Sequence, residues 1–300
     1  MRAVLVAMLF VGSGFAALVY EVVWFQLLRL VIGGSSLSLG ILLASFMGGM
    51  CLGSLLLPVV VPARFHPLRV YAGLELAIGA IGCSLPWWLP AISDWYVRHA
   101  SQSFTGISAR AVVAAIALVP PTMLMGATLP AVARWVKSTP SGLSQLGIFY
   151  GANIAGAVLG CLAAAFVLLP QTDVVYASTV AAAVNVVVAA VAFALSYATT
   201  FHAATENSHA AASSADRRNA PLVLCGVAAL SGFAALSAEV VWTRMLAILF
   251  GSTVYTFAII LAVFLAGLGI GSTMAAAWIR WSRHPVRWLV VAQLAIVALV

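Results

Sequence analysis

Residues 13–24 read Ser-Gly-Phe-Ala-Ala-Leu-Val-Tyr-Glu-Val-Val-Trp, and residues 231–242 read Ser-Gly-Phe-Ala-Ala-Leu-Ser-Ala-Glu-Val-Val-Trp. The correspondence holds one register from Ser13 onward. Gly49 and Gly53-Ser54 pair with Gly267 and Gly271-Ser272. His66-Pro67 and Arg69 pair with His284-Pro285 and Arg287, and Leu76-Ala77-Ile78 pairs with Leu294-Ala295-Ile296. Each pair is 218 residues apart with no gap, and 26 of 70 aligned positions are identical. Apolar composition alone produces scattered Leu and Val coincidences. It does not align Glu, Trp, His-Pro-x-Arg and spaced glycines, so the chain carries an internal duplication. Met1-Arg2 followed by an apolar stretch and Gly-Ser-Gly fits the pattern of a cleaved leader, but a disposable leader has no reason to recur at residue 231.

The duplicated unit belongs in lipid. Hydrophobic residues make up 64% of the chain and charged residues 7%, against about 25% charged in ordinary soluble domains. Mean hydropathy is +1.13. In a bilayer the backbone must satisfy itself inside helices or a closed barrel. Barrels show short alternating strands, whereas this chain shows unbroken apolar runs of about 20 residues or more, the length of a spanning helix. Nine such segments are predicted, near 3–31, 37–61, 70–93, 111–136, 147–169, 173–199, 220–249, 253–279 and 287–300. The last is too short to span and ends at Val300 without a cap, so the natural protein is expected to be longer.

Six segments fall within one period, and an even number returns the chain to its starting side. The copies are therefore expected to share one orientation, the parallel relation found between the halves of major facilitator transporters. The predicted fold is an all-α polytopic membrane protein with a major-facilitator-like repeat of six-helix units. Residues 1–199 form the first unit, 200–219 a polar linker, and 220–300 the first three helices of a truncated second unit.

The net charge of +7 invites a nucleic-acid reading, but the charges sit singly at the ends of apolar runs, with no basic stripe among aromatics. Arg2, Arg64, Arg69, Arg134, Lys137, Arg217, Arg218, Arg280, Arg283 and Arg287 fall on one side, against Arg29, Arg98, Arg110 and Arg244 on the other. That bias places the N-terminus and the linker in the cytoplasm. Trp87, Trp88 and Trp95 then anchor the outer interface, and Trp135, Trp281 and Trp288 the inner one. His202 and His209 lie in the linker without a Cys or paired carboxylate at fixed spacing, which reads as a solvated loop and not a metal site. Cys51, Cys83, Cys161 and Cys225 all lie in apolar runs and form no C-x-x-C pair, so they read as small lipid- or core-facing residues.

Glu21 and Glu239 carry the most information, because ionisable groups within spanning helices suggest function by default. Each precedes a Trp by three residues, on the same helix face. They read either as pseudo-symmetric carboxylates facing a cavity, able to hold a cation or proton, or as groups that lock neighbouring helices through Gln26, Arg29 or Arg244. Glu75 has Gln293 as its counterpart, one copy charged and the other neutral. Pro120, Pro121 and Pro130 remove backbone donors from segment four. The expected break either lines a binding path or packs as a kink. Gly49-x-x-x-Gly53, Gly156-x-x-x-Gly160 and Gly267-x-x-x-Gly271 permit close helix contact, and Asn153 is placed to hydrogen-bond across helices. No nucleotide loop, Walker motif, Ser-His-Asp set or zinc signature is present, so the chain holds no enzyme active site and calls for no cofactor or metal.

Three stretches together resemble one family. They are Ser13-Gly14-Phe15 through Trp24, Pro120-Pro121-Thr122-Met123-Leu124-Met125-Gly126-Ala127-Thr128-Leu129-Pro130, and Tyr150-Gly151-Ala152-Asn153 through Gly160. The chain is similar over nearly its whole length to the membrane region of bacterial fused major-facilitator/spermidine-synthase-like proteins. The resemblance implies a multi-pass protein of the bacterial inner membrane, followed by a soluble spermidine-synthase-like domain. That domain, if active, would use decarboxylated S-adenosylmethionine and putrescine. No such domain, and none of its catalytic residues, lies within these 300 residues. Three functions follow as expectations: binding or transport of a small cationic solute such as a polyamine, membrane anchoring of a cytoplasmic aminopropyltransferase, or a structural membrane scaffold.

Overall fold

A computed structural model describes residues 2–32, 36–99, 104–137, 142–199, 220–251, 253–279 and 285–299. Among them the secondary structure is helical, without strands. The helices are α1 Arg2–Ile32, α2 Ser36–Val60, α3 Pro67–His99, α4 Phe104–Lys137, α5 Gly142–Ala163, α6 Val174–Tyr197, α7 Ala220–Phe250, α8 Val254–Ile279 and α9 Pro285–Leu299. A π-turn at Ala164–Leu168 prolongs α5 into Leu169–Gln171, and Asp173 then caps α6 by accepting from the Tyr176 amide at 2.7 Å. Eight of the helices are long and apolar enough to cross a membrane. The chain is thus a multi-pass helical membrane protein by its architecture. The polar linker with His202, His209, Arg217 and Arg218 lies outside the described residues, as do Arg280, Trp281, Arg283 and His284.

The duplication read in sequence reappears in the helix starts. Arg2, Ser36 and Pro67 open α1, α2 and α3, and residues 218 positions later, Ala220, Val254 and Pro285, open α7, α8 and α9. The surroundings differ between copies. Trp24 is completely buried and stacks on Tyr20 at 5.1 Å, whereas its counterpart Trp242 is 44% exposed.

Three close pairs build the first unit: α1 on α5, α2 on α4, and α3 on α6. Without a hydrophobic driving force between lipid-solvated helices, approach depends on small residues. A Cβ on Gly53 would strike the Met123 backbone, and one on Gly126 the Met50 backbone, so α2 and α4 interlock reciprocally. Gly156 and Gly160 meet the backbone of α1 at Val11 and Phe15 in the same way. Helix α8 joins the first unit through α5, and Phe257 of α8 stacks on Phe25 of α1 at 3.9 Å.

One end of the bundle is tied by polar side chains. Arg134, near the end of α4, donates to the carbonyl of Val61 at 2.9 Å, just past the C-terminus of α2, and at 3.3 Å to that of Leu57, which also accepts from the Val61 amide at 3.0 Å. His66 Nε2 meets the Thr199 carbonyl at 3.1 Å. Arg69 Nε donates to Ser196 Oγ at 3.3 Å while its guanidinium lies 5.0 Å from the Tyr197 ring. The His-Pro-x-Arg motif therefore fastens the α2–α3 loop to the end of α6. The ends of α2, α4 and α6 and the start of α3 meet at one face. The Arg134→Met variant, which keeps the aliphatic stem, is expected to lose about 2 kcal/mol of stability, read as a lower midpoint in thermal unfolding of the detergent-solubilised protein.

Helix α4 continues through Pro120, Pro121 and Pro130. The prolines leave the carbonyls of Ile116, Ala117 and Gly126 without their i→i−4 amide donors. Nearby, Thr122 Oγ1 returns to the Leu118 carbonyl at 2.7 Å and Thr128 Oγ1 to that of Met125 at 2.7 Å, while α2 presses on Gly126. One expectation is corrected. Trp135, expected as an interfacial anchor, is 6% exposed and packs in the core cluster that includes Leu57 and Leu68.

Candidate functional site

A cavity of about 300 Å³ lies within the first unit and is closed on one side by α8. Helix α1 supplies Ser13, Ala17 and Glu21 to its wall. Helix α2 adds Met47 and Met50, α4 adds Met125 and Thr128, α5 adds Tyr150 and Asn153, α6 adds Asn185, and α8 adds Leu261, Leu265 and Leu268. The volume sits at the small end of the range for ligand pockets, and the composition, apolar with a few convergent polar groups, is that of a binding site. Among the described residues no Lys, Arg or His lines it. The methionines give it an adaptable surface.

Glu21 reaches this wall from α1. It is 3% exposed, and its Oε1 has no hydrogen-bond partner. Its counterpart in α7, Glu239, is 4% exposed and stands outside the cavity wall. Among the described residues no ion pair closes on either carboxylate. Two further buried donors beside Glu21, Tyr20 Oη and Trp24 Nε1, also lack partners.

Glu75 is placed differently. It is fully buried behind the wall, where Ser13 Oγ donates to Oε1 at 2.6 Å and Asn185 Nδ2 donates to Oε2 at 2.6 Å. Tyr71, one turn earlier on α3, donates its hydroxyl to the Leu9 carbonyl at 3.4 Å. The network joins α1, α3 and α6, and two of its members, Ser13 and Asn185, face the cavity. In the second copy, Gln293 Nε2 donates to Ser231 Oγ at 3.1 Å. Ser231 and Gln293 are the counterparts of Ser13 and Glu75, so one contact occurs twice. Gln293 takes no part in the cavity wall.

Asn153, expected to bridge helices, lies on the cavity wall, and its backbone meets Gly14 of α1. Pro120, Pro121 and Pro130 are not on the wall, but Met125 and Thr128 between them are. The four cysteines are free thiols: Cys51 and Cys225 exposed, Cys83 half-buried and Cys161 buried, where its Sγ meets the Ala258 carbonyl at 3.3 Å. Among the described residues no cluster of His, Cys, Asp or Glu could hold a metal ion.

Asn185 is the member of this site that the sequence reading missed. Its signal was present: a lone carboxamide between Val184 and Val186 in an apolar helix, the kind of intramembrane polar residue that calls for a partner. The partner, 110 positions earlier in sequence, is visible only in three dimensions. The chain matches no known family model, no curated protein and no solved structure.

Proposed function

We propose that this chain is the membrane part of a fused major-facilitator/spermidine-synthase-like protein and that it binds or moves a small cationic solute, such as a polyamine, across the bacterial inner membrane. In this reading the two six-helix units are related by a parallel repeat, and the N-terminus and the linker face the cytoplasm, where a synthase-like domain would join the membrane part. One observation carries the proposal: an apolar cavity, with no basic side chain on its wall among the described residues, holds a buried carboxylate whose Oε1 lacks a partner. An unneutralised intramembrane carboxylate is costly and is retained where an ion or proton uses it. Glu239 is a second buried acidic group, at the equivalent position of the other copy.

The test is uptake of radiolabelled putrescine into proteoliposomes containing the Glu21→Gln/Glu239→Gln double variant. Transport is expected to fall at least tenfold. Parental uptake by a monodisperse double variant refutes the proposal.

A scaffold reading draws support from Glu75, which spends both oxygens on bonds between helices. It requires that the cavity remain empty of solute. Saturable binding of putrescine to the purified chain removes it.

A further inference from the structure

Asn185 is 1% exposed, lines the cavity, and uses only half of its amide. Its Nδ2 donates to Glu75 Oε2, while its Oδ1 has no partner. The orientation follows from the neighbour. A carboxylate accepts and cannot donate, so the amide must turn its NH2 toward Glu75, which leaves the carbonyl oxygen as the end without a partner. Ser13, also on Glu75, holds the carboxylate from the other side. Burying an unmet carbonyl is unfavourable, and a site that does so is arranged for a donor from elsewhere.

Glu21 Oε1 is the second such atom on the same cavity wall. Of the donors on the wall, Ser13 is engaged with Glu75 and Thr128 with the Met125 carbonyl, and neither Tyr150 nor Asn153 bonds either atom. Two buried acceptors therefore wait for hydrogen-bond donors, one anionic and one neutral, on a wall built mainly of Met, Leu and Ile.

We propose that Asn185, oriented by Glu75, is a recognition residue that works with Glu21 to bind the N–H bonds of a protonated primary amine, with the amine's hydrocarbon body against Met47, Met50 and Leu265. The inference rests on the cation reading above and narrows it to a chemical class. A hard metal cation prefers six or more oxygens, which these two acceptors do not provide. A quaternary ammonium has charge but no N–H to offer Oδ1. A primary ammonium has three.

The experiment is isothermal titration of the purified full chain in nanodiscs with n-butylammonium and with tetramethylammonium chloride. The primary amine is expected to bind at least tenfold more tightly. Asn185→Leu is expected to reduce n-butylammonium affinity at least tenfold. Glu75→Gln, which fills the same space, is expected to do likewise, because a glutamine can offer its own NH2 to Asn185 and release the amide to turn. It also serves where Asn185→Leu fails to fold. Equal affinity for the two probes overturns donor recognition. Unchanged affinity in Glu75→Gln and in folded Asn185→Leu, with loss in Glu21→Gln, overturns the role of Asn185 and leaves the cation reading standing. No binding of either probe to the parent chain overturns both.

Discussion

The Gly53→Ala variant is expected to melt well below the parent protein, and the Gly271→Ala variant is not. These glycines are equivalent in the duplication, 218 residues apart, and each change adds one methyl group. At Gly53 the methyl would coincide with the Met123 backbone of α4. Backbone cannot rotate out of the way as a side chain can, so α2 and α4 must separate, and the reciprocal seat of Gly126 on Met50 is lost with them. Overpacking of this kind costs about 3 kcal/mol, the upper part of its usual range. At Gly271 nothing lies within 4 Å of the added carbon. There only helix propensity operates, and alanine is favoured over glycine by about 1 kcal/mol. Thermal unfolding of the two variants in the same detergent checks the pair. Equal melting temperatures would show that α2 and α4 do not interlock as described.

The second large effect is expected at Glu75. The Glu75→Ala variant leaves Ser13 Oγ and Asn185 Nδ2, both on buried side chains, without their acceptor. Each unmet buried donor costs about 1–3 kcal/mol, so a loss of about 4 kcal/mol is expected. The equivalent change in the other copy, Gln293→Ala, removes one neutral bond of 3.1 Å at a half-buried position. Interhelical hydrogen bonds of that sort average about 0.6 kcal/mol in membrane proteins. A double-mutant cycle separates network from bulk: Asn185→Leu added to Glu75→Ala should cost less than the sum of the single changes, by about 1 kcal/mol or more. Strict additivity would mean that the two residues do not share an energy term.

Much of the fold was legible because lipid imposes a simple rule. Unbroken apolar runs must be helices, and the nine predicted segments coincide with the nine helices to within a few residues, apart from longer ends on α3, α4 and α5. The duplication was legible because Glu, Trp and paired glycines cannot align by chance. The prolines of α4 could be read as lost backbone donors, whereas the close seat of α2 on Gly126 beside them is a tertiary fact. Glu21 could be picked out as a lone intramembrane acid. That Glu75 would be shielded and Glu21 left open could not, since both are single carboxylates in apolar helices. What separates them is Asn185, a residue on a helix distant in sequence. The same holds for Arg134, which looked like one more charge at a helix end and proves to hold the carbonyls of α2.

The paired contacts Ser13–Glu75 and Ser231–Gln293 run in opposite senses: serine gives its proton in one and receives one in the other. A hydroxyl is ambivalent, so the descendant halves could diverge without either backbone moving. Glutamate and glutamine codons differ by a single base, and serine tolerates the exchange in both directions. One copy of the repeated segment could thus gain or shed a formal charge in one evolutionary step, with its serine already equipped for the result.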